Sequence, residues 1–179
     1  MFGVDHAQIG QRRFEGTIVS SLQGLDRFPA FADVIGLIDV AAAPAELVAE
    51  LTRVFARVLV ENAHDPLTAI VLTHGVTSVA AFGNLLPHVR VATARAALPY
   101  AWQAACGLYA TFGSKPASSG ASGHELARDD MPALVERALA HGDEHAIKLA
   151  EACATAHALR PASELPAALR CVLELLPPA

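Results

Sequence analysis

The residues best equipped for chemistry are gathered in Gly142–Leu159, GDEHAIKLAEACATAHAL. Gly142 can close one helix in the left-handed conformation, and Asp143 can N-cap the next, with Glu144 favourable in its first turn. Glu144, Lys148 and Glu151 recur at i, i+4 and i+7, so they share one line along the helix and alternate in sign. Ile147, Leu149, Ala150, Ala152, Cys153, Ala154 and Ala156 cover nearly everything else, and a helix apolar almost all round is usually buried. Two readings stand. In one, the charged line and His145 lie inside the fold or at a cleft, where ionised groups need partners. In the other, the line is the solvated face of an amphipathic helix whose alanines are tolerated outside.

His74, in LTHGVTS, falls where a break is expected between two apolar stretches, around His74 to Thr77. It could be a ligand, a general acid or base, or a core histidine satisfied by a backbone carbonyl. His141 and His145 stand four apart across the expected helix break, which makes a weak metal pair, and His74 would complete a cluster with them. No His-Glu-x-x-His occurs. Neither Gly-x-Gly-x-x-Gly nor a Gly-Lys-Ser/Thr loop is present, so a dinucleotide has no fingerprint here. Pro99 should kink the helix that carries it, placing Tyr100, Trp102 and Gln103 beside the break.

The elements that must position these residues read as helices. From Pro44 to Asn62, Leu47, Val48, Leu51, Val54, Phe55, Val58 and Leu59 repeat every three or four residues, with Glu46, Glu50, Arg53 and Arg57 opposite. Pro29 to Val40 reads as a short helix burying Phe31, Val34, Ile35 and Ile38, and residues 3 to 25 as helical despite four glycines. Asp65 to Arg90 and Arg95 to Lys115 contain no charged residue between their ends. Two such runs raise a membrane hairpin, but their histidines, prolines and Gln103 favour two fully buried helices of a bundle. SKPASSGASGH, residues 114 to 124, reads as a flexible loop. Asp129 or Asp130 should cap the helix through Leu139, and Ser163 a last helix through Leu176. No stretch alternates with period two, so the fold class is all-α, a single-domain bundle of six to eight helices spanning residues 1 to 179.

Bulk properties narrow the function. The chain has 179 residues, 53% hydrophobic and 17% charged, with a mean hydropathy of +0.37 and a formal charge of -5. There is no basic field for nucleic acid. Cys106, Cys153 and Cys171 form no Cys-x-x-Cys pair, which favours buried thiols in a reducing cytoplasm. The first residues, MFGVDHAQIGQRR, lack the basic start and apolar run of a secretory signal.

Three segments, LTHGVTSVAAFGNLLPHV, ALPYAWQAACGLYATFG and LVERALAHGDEHAIKLAEAC, resemble blocks of the questin oxidase-like family. The resemblance covers roughly residues 15 to 113 and 129 to 160, and is most specific in the Gly-Asp-Glu-His-Ala-Ile-Lys block. It implies a Baeyer-Villiger-type oxygen insertion, linked to NADPH, into an aromatic ketone or quinone of a polyketide pathway. It also implies the residue types His74, Thr77, Trp102, Gln103, Glu144, His145, Lys148 and Glu151 at recurrent positions. Typical members are about twice as long, so the chain looks like their C-terminal half. On residue chemistry, His74 and His145 would orient or protonate a substrate carbonyl, and Lys148 between Glu144 and Glu151 would hold developing negative charge. Tyr100 and Trp102 would stack on the rings, with Gln103 and Thr77 as further substrate contacts. The alternative is a non-catalytic helical module for binding or dimerisation, with the charged line as an ion-pair ladder. In either case the apolar composition predicts a homodimer, through exposed faces of Pro66 to Val89 or Leu98 to Gly113 that include Leu85 or Leu108, or a partner that supplies the other half.

Overall fold

The computed structural model describes residues 16–114 and 130–179, and these form an all-α bundle. Seven α-helices occur among them: α1 (Ile18–Leu22), α2 (Pro44–Asn62), α3 (Pro66–Leu85), α4 (Val91–Phe112), α5 (Met131–His141), α6 (Glu144–Leu159) and α7 (Glu164–Leu175). Three 3-10 helices join them, at Gln23–Arg27, Pro29–Leu37 and Leu86–His88. No strand occurs among the described residues. The expected loop at 114 to 124 lies outside them except for Ser114, as does the part of the expected first helix before Gly16.

α2 runs over the whole predicted span because Pro44 is tolerated in its first turn and its apolar stripe faces the core through Val48, Leu51, Phe55 and Leu59. α3 is the hub, packing against α2, α4, α6 and α7. Its start is set by a local motif: the Thr68 N–H donates to Asp65 Oδ1 at 2.7 Å, and the Asp65 N–H donates to Thr68 Oγ1 at 3.2 Å. The expected break at His74–Thr77 is absent, and α3 is continuous through it. Gly75 is buried within the helix and makes no turn, and a Cβ there would meet Leu108 and Phe55 at ordinary contact distance, 3.9 Å. This stretch, extended to His88, is the one described helix long and apolar enough to cross a membrane by length and composition.

α4 likewise continues through Pro99. The helices that carry the two charge-free runs are not fully buried. α4 turns Leu98, Ala105, Cys106 and Leu108 inward, yet Ala92, Ala96, Tyr100 and Ala104, four apart along one line, are exposed. Leu108 therefore belongs to the core and not to a surface, whereas Leu85 is exposed. Lack of charge on a helix does not require burial on every side when the exposed positions are mostly alanine. Pro29–Leu37 is a 3-10 helix with no buried residue: Phe31, Val34, Ile35 and the following Ile38 are half-covered instead of buried, and Leu37 is exposed. Asn62 ties the far ends of α2 and α4 together, since its Oδ1 accepts from the Ser114 N–H at 2.9 Å.

Gly142 adopts φ +81° and ends α5 as expected, because a side chain at this left-handed position would be strained. Asp143 then caps α6, accepting from the His145 and Ala146 N–H groups at 2.8 and 3.2 Å. Asp130 and Ser163 hold the N-cap positions of α5 and α7 without a side-chain capping bond. Leu59, Leu149, Leu165 and Leu169 are fully buried, each contributing about 1.5–3 kcal/mol of apolar transfer.

Candidate functional site

Two histidines from distant parts of the chain meet where α3 packs against α6. The rings of His74 and His145 lie 5.4 Å apart between centroids and meet edge-on at 61°. His74 Nδ1 is 2.8 Å from the Ile70 carbonyl oxygen, one turn back on α3. A carbonyl only accepts, so Nδ1 carries the hydrogen and Nε2 is left as the reactive atom. His145 sits in the first turn of α6 with its side chain 17% exposed, and its Nδ1 faces Asp143 Oδ1 at 3.4 Å. That approach has the distance of an ion pair but not the geometry of a hydrogen bond, leaving Nδ1 buried and unbonded.

Asp143 therefore acts twice, on the backbone of α6 and on the ring beside it. Burial pushes its carboxyl up, but the N–H groups of Ala146 and His145 and the adjacent His145 ring outweigh that and hold it below its ordinary value. The capping role was readable from Gly-Asp-Glu-His, whereas the approach to His145 depends on the ring's orientation and has no sequence signal.

The rest of the charged line does not join the pair. Glu144 and Lys148 are solvent-facing, with side chains 68% and 57% exposed, and bond each other at 2.6 Å. The Lys148 hydrogen bond holds the Glu144 carboxyl below its usual range. Of the two readings of this line, the solvated face describes Glu144 and Lys148. Glu151, one turn further, is exposed at the mouth of a small cleft between α2, α3 and α6. The helix is buried through Ala146, Leu149, Ala150, Ala152 and Cys153 instead.

The aromatic candidates face other ways. The Trp102 indole N–H donates to the Val34 carbonyl at 2.8 Å, and its ring lies 5.7 Å from that of Phe55. Trp102 thus anchors Pro29–Leu37 to α4, while Tyr100, 65% exposed, points to solvent and Gln103 is half-buried. The Thr77 hydroxyl donates to the Thr73 carbonyl within α3 at 3.0 Å.

His141 does not join His74 and His145. Its Nε2 donates to the Leu176 carbonyl at 3.0 Å, and the Ala179 N–H donates to the His141 carbonyl at 3.0 Å, so it fastens the chain's last residues to the end of α5. No group of three or more His, Cys, Asp or Glu arranged to hold a metal occurs among the described residues. The thiols are suited to packing: burial pushes Cys106 and Cys153 up to about 12, and burial with Glu174 nearby pushes Cys171 up to about 11.

These features define an all-α helical bundle with an interhelical histidine pair. Comparison with family models, curated proteins and solved structures finds no match for this chain.

Proposed function

We propose that this chain is a questin oxidase-like oxidoreductase acting on an aromatic ketone or quinone, with His74 and His145 as its proton-transfer pair. The observation that carries the reading is their edge-on contact at 5.4 Å, which joins histidines of two separate segments of the family resemblance. With Nδ1 committed to Ile70, neutral His74 can take a proton from a phenolic hydroxyl at Nε2, and its protonated form can donate to a carbonyl oxygen. Lys148, held by Glu144 on the surface, acts only on a substrate that reaches that face.

NADPH is the reductant that the resemblance implies. Asp65, Asp130 and Asp143 at the N-caps of α3, α5 and α6 disfavour its diphosphate at those three helix ends, the α6 end beside the histidine pair among them. No step is derived through it. The test is oxygen uptake, NADPH loss and ring-opened product with an anthraquinone, for the wild type and for His74→Ala and His145→Ala. Turnover lost in folded variants supports the pair as catalytic, and absence of turnover in the wild type, with or without a partner chain, removes the reading.

The second reading is a non-catalytic helical module that pairs with a second copy in the cytoplasm. The exposed apolar line Ala92, Ala96, Tyr100, Ala104 on α4 favours it, because small residues four apart let two helices approach closely around a tyrosine. Sedimentation of wild type and Tyr100→Glu tests it. A dimer that becomes monomeric on substitution supports it, and a monomeric wild type at micromolar concentration overturns it.

A further inference from the structure

Glu144 and Lys148 satisfy each other, but Glu151 has no hydrogen bond or ion pair among the described residues. It stands at the mouth of a cleft of about 100 Å³ between the first half of α2, the end of α3 and the second half of α6. The walls are small: Ala49, Ala80, Ala152 and Ala156 face a space that larger side chains would fill. Gly83 lets α3 close one side, since a Cβ there would come within 3.1 Å of Val48 Cγ1.

Asn84 and Thr155 line the same cleft and are exposed like Glu151, and their side chains also lack hydrogen-bond partners among the described residues. Glu151 and Thr155 are one turn apart on α6, and Asn84 comes from the end of α3. A carboxylate, an amide oxygen and a hydroxyl oxygen thus edge an apolar space. A primary ammonium carries three N–H donors and no acceptor, which matches three acceptor oxygens. A quaternary ammonium is suited to aromatic walls, and no aromatic residue lines this cleft. An anion would meet the Glu151 charge, and a neutral alcohol would gain no attraction from it.

We propose that this cleft binds a free primary alkylammonium, its head at Glu151, Asn84 and Thr155 and its chain among the alanines. A cavity of about 150 Å³ holds a benzene ring, so this smaller one suits a body of about four or five carbons. The site is separate from the histidine pair and independent of the reading built on it.

The test is methyl NMR of the full chain titrated with n-butylammonium, with 1-butanol, butyrate and Nα-acetyl-lysine methylamide in parallel. The expected result is saturable shifts of the Ala80, Ala152 and Thr155 methyls with a Kd on the order of millimolar, a size set by so few ligand atoms. Glu151→Gln, at an exposed position, should weaken binding about threefold. Ala152→Leu should abolish it by filling the space. Non-saturating shifts, equal affinity for 1-butanol, or an unchanged Kd in Glu151→Gln would overturn the proposal. Tighter binding of the lysine amide than of butylammonium would overturn assignment to a free amine and give the cleft to a partner's lysine.

Discussion

α2 and α6 each carry a charged line at helical spacing, and the two lines end in opposite surroundings. Glu50 and Arg53 on α2 are half-covered because α7 packs alongside: Arg53 bonds Glu50 on its own helix and Glu164 of α7 at 2.6 Å, and Arg160 reaches Glu50 at 3.3 Å. The Arg53 hydrogen bond holds Glu50 below the usual carboxylate range, and the same bond raises Arg53. On α6 the pair Glu144–Lys148 touches only itself and solvent. A charged line therefore marks a face without saying what covers it. On α2 the line links two helices, and on α6 it divides into a surface pair and a lone carboxylate.

The largest effect should come from the side of α6 opposite its charges. Leu149→Ala should cost about 2–5 kcal/mol by urea denaturation, since Leu149 is fully enclosed and its loss leaves a cavity. A cost below about 1 kcal/mol would mean that α6 is not held by its apolar face.

Asp143→Ala should cost about 1 kcal/mol through loss of the α6 cap, while Asp143→Asn, which still caps, should cost less. The folded carboxyl lies below its ordinary value, so its charge-linked contribution is complete above the unfolded carboxylate range and disappears as pH falls through the lowered folded value. Denaturation midpoints of wild type and Asp143→Asn should converge at that acid end. A difference that instead grows on acidification would contradict the assignment.

Arg53→Ala removes the link between α2 and α7 and should cost about 1 kcal/mol or less, because the partners are partly exposed and screened. The cost should shrink in high salt. Glu144→Gln and Lys148→Gln should leave the midpoint unchanged within error, as expected of a solvated pair. If either matched Arg53→Ala, the contrast between the two lines would fail.

The fold was legible where the controlling interactions are local. The stripe of α2 spans neighbouring turns, the left-handed Gly142 and the Asp143 cap act within three residues, and the absence of period-two patterning excluded a sheet. The expected break at His74–Thr77 went astray for the opposite reason: Gly75 and Thr77 weaken a helix locally, but burial of Val71, Leu72, Val76 and Val79 on either side carries α3 through. His74 and His145 could each be marked as chemically able from residue type alone.

Their meeting could not be read in the same way, because it depends on how α3 and α6 rotate against each other, with contacts between residues far apart in the chain. The same rotation sends Lys148 to solvent and brings Asn84 to the cleft that Glu151 and Thr155 line, while the packing of α4 on Pro29–Leu37 turns Trp102 to Val34. Composition, periodicity and capping thus determined an all-α chain and most of its helix limits, since each is settled within a turn or two. Tertiary packing alone decided which polar residues share a site, because facing side chains are set by the combined burial of several helices and not by any one of them.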